Sequence, residues 1–136
     1  MKTYKDNKKC LWLLSVLYPT VGIPGLWMHY LTENTLWLLY PFVITYIFTP
    51  FLDTYFGEDN SNHPDEVQSD LEKIPYYKIL TYIAVPIHIF VFFISAFYIG
   101  LIPLSLLEIL LISASAGLVS GIAINTGHEL GHKKTK

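Results

Sequence analysis

Residues 76–99 read YYKILTYIAVPIHIFVFFISAFYI, and residues 103–126 read PLSLLEILLISASAGLVSGIAINT. From Ile79 to Gly127, Glu108 is the only acidic or basic residue apart from histidines. A second block with a single such residue, Glu33, lies between Cys10 and Leu52. A helix of a soluble protein needs a polar face toward water, and these blocks are too poor in charge to supply one. The two blocks therefore predict an integral membrane protein.

Each apolar block is about twice the ~20 residues that a helix needs to cross a bilayer, so each predicts a helical hairpin. The expected fold is all-α, with four transmembrane helices arranged as two hairpins. The spans are expected at about 11–31, 36–52, 76–99 and 103–126. Turns are expected around residues 32–35 and 100–103, and the prolines and glycines of residues 19–25 make the first span the least regular.

The lysines predict the orientation. They cluster before the first span and after the fourth, at positions 2, 5, 8, 9, 133, 134 and 136. Lysine-rich flanks favour the cytoplasmic side, and four spans return the chain to the side where it began. Both ends, and the acidic loop 53–75 between the hairpins, are therefore expected in the cytoplasm. No small-residue cleavage site stands out after the basic start, so the first span is expected to be retained.

A histidine pair lies where the last apolar block ends. In the run His128-Glu129-Leu130-Gly131-His132, the two histidines are four residues apart. On a helix this spacing puts two imidazoles on one face, where they can bind one metal ion. The same H-E-x-x-H pattern is typical of zinc proteases, with Glu129 as general base. Two solvated histidines beside a lysine cluster are the plainer alternative. Cys10 is the only cysteine, so a thiolate cluster is excluded.

The remaining ionisable residues of the spans have milder interpretations. His88 falls near the middle of the third span, two residues after Pro86. At that depth it is either a ligand or proton relay, or a neutral imidazole bonded to a carbonyl that the proline leaves free. His29 and His63 are predicted to be ordinary polar residues. Glu108 lies near a helix N-terminus, where a carboxylate suits the helix dipole.

Three carboxylates follow the second span, at Asp53, Glu58 and Asp59. At the point where this helix leaves the membrane, they could accept a hydrogen bond from the second nitrogen of a ligand histidine and fix its orientation. A solvated acidic loop explains the same residues equally well.

Taken together, these segments resemble the bacterial alkane 1-monooxygenases, the membrane di-iron alkane hydroxylases of the wider membrane desaturase and hydroxylase group. Residues 125–134, NTGHELGHKK, look like the first histidine box of that family. The resemblance is collinear over nearly the whole chain. Its other pieces are Leu52-Asp53, Gly57-Glu58-Asp59, Asn62, Pro64, Tyr76-Tyr77, Leu80-Thr81-Tyr82, and Val85-Pro86 with His88.

The resemblance implies the N-terminal part of a six-span helical enzyme of the bacterial inner membrane, with two non-haem irons at the cytoplasmic face. Such an enzyme uses dioxygen to hydroxylate the terminal methyl of an n-alkane, giving a 1-alkanol. Its electrons come from rubredoxin, which a rubredoxin reductase reduces. Membrane lipid is the other expected partner, and no nucleic acid is expected. By position, His128 and His132 would be iron ligands, and residues that support or orient them would be Glu129, Asn125, Asp53, Glu58 and Asp59.

An alkane has no polar handle, so its position at a metal must be set by an apolar channel. Depth in the second span makes Ile44, Thr45 and Phe48 candidates for the channel wall, with His88 of the third span as a further one. Ordinary helix packing or lipid contact explains each of them as well.

Five histidines are too few to complete a di-iron site of this family, so the chain is expected to be a fragment that is inactive alone. Three other functions remain open. The chain could come from a related histidine-box enzyme, such as a desaturase, an acyl hydroxylase or a xylene monooxygenase. It could be a membrane zinc protease, although a third ligand is not visible. It could also be a non-catalytic four-span membrane protein.

Overall fold

The computed structural model describes residues 9–10, 12–57 and 74–132, without the side chains of Ser15 and residues 122–132. The described residues form helices joined by short turns, and no β-strand occurs among them. The helices are α1 (Trp12–Leu17), α2 (Gly22–Thr32), α3 (Tyr40–Val43), α4 (Thr49–Phe56), α5 (Pro75–Leu101) and α6 (Leu106–His132). Two 3-10 segments, Tyr18–Val21 and Thr35–Leu39, and one π segment, Ile44–Phe48, connect the first four into two longer helical stretches.

The first stretch changes its winding at Pro19. This residue is buried in the 3-10 segment between α1 and α2, and it has no N–H to continue an α-helix. The Thr20 hydroxyl donates to the carbonyl of Leu17, 2.7 Å away, which adds a hydrogen bond at this junction.

Helix α2 then ends at Glu33, which has a left-handed backbone (φ 54°) and donates its N–H to the carbonyl of His29. The turn falls where the sequence predicted it.

The second stretch is irregular for a related reason. Pro50 has no N–H for the carbonyl four residues earlier, and the π segment Ile44–Phe48 lies directly before it. The Thr49 N–H and hydroxyl both donate to the carbonyl of Ile44, five residues back. The extra residue thus accommodates the proline without breaking the helical path. Gly57, with φ 75°, ends α4.

Helices α5 and α6 are each 27 residues long and form the second hairpin. Their turn comprises residues 102–105, slightly later than predicted, because Gly100 stays helical. Helix α5 presents one buried stripe to the rest of the molecule, made of Leu80, Ala84, Val91 and Ser95.

The core lies between the two hairpins near their turns. Leu26, Leu38 and Ile112 form its centre, and Ile112 is only 2% exposed. Gly25 permits the close approach there, since a Cβ at this position would lie 2.7 Å from the carbonyl oxygen of Trp37.

The rest of the apolar surface points outward. The helices Thr35–Phe56 and Pro75–Leu101 are long and apolar enough to cross a membrane. Within the most apolar 18 residues of each helix, only 11% and 22%, respectively, are buried. The core helix of a soluble protein would be mostly buried, so these are candidate membrane spans. A shorter apolar helical stretch, Leu106–Gly121, is a third. The all-helical class is confirmed for the described residues, whereas four spans and a six-span bundle stay predictions.

Candidate functional site

The histidine box lies at the C-terminal end of α6. The helical backbone continues through His128 to His132, so these residues are one helical turn apart. Their side chains, and those of Asn125 and Glu129, lie outside the described residues. In the part of the chain that the structure describes, no three His, Cys, Asp or Glu side chains are grouped so that they could hold a metal ion. The site would therefore need ligands beyond that part.

The acidic cluster after α4 is only partly described. Asp53 is exposed on the last turns of α4, and its carbonyl accepts the N–H of Gly57 at 3.0 Å. Glu58 and Asp59 lie outside the described residues. A supporting role of these carboxylates at the metal centre stays a prediction.

The predicted channel residues on the second span occupy the π segment. Thr45 is partly buried, and its hydroxyl is 2.5 Å from the hydroxyl of Tyr18 in the first 3-10 segment. This hydrogen bond joins the two irregular segments of the first hairpin. Ile44 is partly buried, whereas Phe48 is 49% exposed on the outer surface. A role of these residues in a channel stays a prediction.

His88 is partly buried on the inward face of α5. Its Nδ1 is 2.7 Å from the carbonyl of Ala84 and donates to it, because a carbonyl oxygen can only accept. Nε2 is buried without a hydrogen-bond partner among the described residues. Pro86 leaves the carbonyl of Tyr82 without its helical donor. The imidazole is thus bonded to a carbonyl, as one interpretation predicted, but not to the one that the proline leaves free.

A polar cluster lies at the opposite end of α6, beside both interhelical turns. His29 is 5% exposed, with Nδ1 2.6 Å from the hydroxyl of Tyr98 and Nε2 3.1 Å from Oε1 of Glu108. The hydroxyl of Thr35 donates to the same Oε1 at 2.7 Å. The backbone N–H and the hydroxyl of Ser105 both donate to Oε2, each at 2.8 Å. We call these five residues the turn cluster. His29, predicted to be an ordinary polar residue, is a buried and hydrogen-bonded member of this cluster.

Two of the five residues of the turn cluster have a sequence signal. Ser105 and Glu108 have the S-x-x-E spacing of a capping box, in which the two residues bond reciprocally to each other's backbone N–H. The prediction that Glu108 is favoured by its position at a helix N-terminus agrees with this geometry. His29, Thr35 and Tyr98 come from distant parts of the chain, and their meeting depends on how the hairpins pack.

Comparison with known proteins points to one group. The chain is 47% identical over 134 residues to the alkane 1-monooxygenase of Ectopseudomonas oleovorans, and 45% identical over 131 residues to alkane 1-monooxygenase 1 of Alcanivorax borkumensis. Each alignment covers 96% of this chain. The alkane 1-monooxygenase of Acinetobacter baylyi is more distant, at 30% identity over 131 residues. No protein-family model matches the chain.

The aligned part is 33% of the E. oleovorans protein and 32% of the A. borkumensis protein, so the chain spans about a third of the length of these relatives. The resemblance of this chain to the bacterial alkane 1-monooxygenases is therefore confirmed along 96% of its length.

Proposed function

We propose that this chain is the N-terminal part of a membrane non-haem di-iron monooxygenase that converts n-alkanes to 1-alkanols with dioxygen and electrons from rubredoxin. The observation that carries the proposal is the identity of 45–47% to two alkane 1-monooxygenases over 96% of the chain. Because the chain spans about a third of these relatives, activity requires the remaining two thirds, and this segment alone is inactive.

His128 and His132 supply two of the iron ligands. A continuous helix with two histidines one turn apart suits this role, because neutral imidazole is a good ligand for iron. When bound, the iron pair activates dioxygen. Glu129, Asn125, Asp53, Glu58 and Asp59 hold the ligand imidazoles in orientation and balance charge, as residues around metal ligands commonly do.

The largely unburied apolar helices support a membrane location, where the substrate also dissolves. The chain crosses the bacterial inner membrane four times, with both ends and the loop 53–75 in the cytoplasm, as the lysine distribution indicates. Ile44, Thr45, Phe48 and His88 line the path along which an alkane reaches the metal centre. Rubredoxin approaches from the cytoplasm.

The ligand assignment is tested in the intact enzyme, purified from membranes. His128→Ala is expected to lose bound iron and rubredoxin-dependent formation of 1-octanol from octane, because one imidazole ligand is missing. His63→Ala removes a histidine that the proposal leaves outside the site and should keep both. Metal analysis and gas chromatography measure these outcomes. Full hydroxylation activity of the His128→Ala variant would contradict the ligand assignment. Bound zinc in the intact enzyme, together with cleavage of peptides, would favour a protease.

A further inference from the structure

The turn cluster connects four helical stretches at one end of the molecule. His29 lies in the last turn of α2, and Thr35 is the first residue of the following 3-10 segment. Tyr98 lies one turn before the end of α5, and Glu108 lies in the first turn of α6. One carboxylate therefore ties the start of α6 to both neighbouring stretches.

All hydrogen-bond donors of the cluster can be satisfied without an added proton. Nε2 of His29 faces a carboxylate oxygen of Glu108 and donates to it, which lets Nδ1 accept from the Tyr98 hydroxyl. Two donors from Ser105 and one from Thr35 complete the set. A carboxylate has about four acceptor sites, so Glu108 is saturated. A network in which every polar group is paired favours one geometry over others.

Further along α6, the described inward face has few large side chains that could interlock with neighbouring helices and fix the axial position of α6. Beyond Ile112, the buried and partly buried side chains of α6 within the described residues are Ser115, Ala116, Leu118, Val119 and Ser120, so most of them are small. At Gly22 of α2, a Cβ would lie 3.4 Å from the Oγ of Ser115, so the two helices pack closely there. Small residues permit such close packing, but they interlock less than large ones, and one helix can slide past another by a turn of about 5.4 Å.

The far end of the same helix carries the histidine box. Glu108 and His128 are separated by about 30 Å of continuous helix at 1.5 Å per residue. Hydrogen bonds along the axis make a helix stiff in that direction, so a displacement at one end appears nearly undiminished at the other.

We propose that the turn cluster sets the axial position of α6, and thereby the depth at which His128 and His132 are held for the metal centre. The residues of the cluster are positioning residues. The role of the two histidines as ligands rests on the proposed function, whereas the fixing of α6 against α2 does not. Disruption of the cluster is expected to let α6 shift along its axis.

Disulfide cross-linking in the intact protein, with Cys10→Ser as background, measures this shift. The pair Gly22→Cys and Ser115→Cys reports the native register, and Gly22→Cys with Val119→Cys reports a one-turn shift. Thr35→Val removes one hydrogen bond to Glu108 at nearly constant side-chain shape. Glu108→Gln removes more hydrogen bonds, because the amide nitrogen of glutamine cannot accept those that a carboxylate oxygen accepts. Either should lower cross-linking of the first pair and raise that of the second. Thr35→Ser, which keeps the hydroxyl, should retain the native pattern.

Thr32→Val is the matched control, because the Thr32 hydroxyl bonds only to nearby backbone groups of Met28 and Asn34. It should change neither pattern. Bound iron provides the second measurement, made per correctly folded protein after size exclusion. Thr35→Val and Glu108→Gln should retain iron roughly tenfold more weakly, comparable with the loss of other groups that orient metal ligands. Thr35→Ser should restore retention.

An unchanged cross-linking pattern in both Thr35→Val and Glu108→Gln would overturn the proposal. A shifted pattern with unaltered iron retention would overturn it too, because the ligands would then not depend on the position of α6. Absence of iron from the wild-type enzyme would instead count against the proposed function, and the cross-linking pattern would still decide whether the cluster fixes the helix.

Discussion

Some residues of this protein owe their position to neighbours in the chain, and others owe it to segments that pack against them. The spacing of His128 and His132, and the capping pair Ser105 and Glu108, are local signals that can be read along the chain. Gly25 carries no such signal, because its importance comes from a carbonyl of another segment that packs against it. The same holds for His29, whose burial depends on partners contributed by α5 and α6.

Gly25→Ala is expected to lower the thermal stability of the protein in detergent. The added methyl would lie 2.7 Å from the carbonyl oxygen of Trp37, so the backbone must shift, at a cost of about 1–3 kcal/mol. Gly117→Ala is the control, since a Cβ there meets nothing within 4 Å and alanine favours a helix. Equal melting temperatures for the two variants would contradict the close approach.

At the scale of elements, apolar runs predicted helices but not their winding. The second span was expected to end at residue 52, yet α4 continues to Phe56, because the apolar pattern marks the membrane boundary and Gly57 ends the helix. The second turn begins later than expected because Gly100 stays helical, and it ends where Ser105 caps α6. The 3-10 and π segments were not predicted, since they depend on how Pro19 and Pro50 are accommodated within packed helices.

The hydrogen bond between Tyr18 and Thr45 should couple these two irregular segments. Tyr18→Phe is expected to reduce the free energy of unfolding by about 0.5–1.5 kcal/mol. Thr45→Val should cost a similar amount, and the double variant should cost little more than either single one. Tyr46→Phe, at an exposed tyrosine of the same π segment, should be nearly neutral. Additive effects in chemical denaturation would show that the hydroxyls do not interact.

At the scale of the whole molecule, many of the large apolar side chains are exposed, and the buried residues form a cluster near the turns and a stripe along α5. Charge-poor blocks in the sequence predicted an apolar exterior of this kind. The number of spans and the completed metal centre do not follow from the sequence, because they depend on residues outside the described part.

Cys10 offers a direct test of orientation, because it is the only cysteine and is exposed. A membrane-impermeant maleimide should label it in inside-out vesicles but not in intact spheroplasts, since lysine-rich flanks favour the cytoplasm. In a Cys10→Ser background, Glu33→Cys in the first turn should show the opposite pattern. Labelling of both positions from the same side would contradict a helical hairpin that crosses the membrane.

The π segment Ile44–Phe48 has one residue more than an α-helix would use for the same turn. One residue corresponds to about 100° of rotation around a helix axis. Deleting a single codon within this segment would therefore leave the reading frame intact but turn α4, together with Asp53, to a different side of the molecule. Natural insertions and deletions at this place would rotate α4 about its axis. The residues beyond Thr49 would then face different neighbours although none of them is substituted.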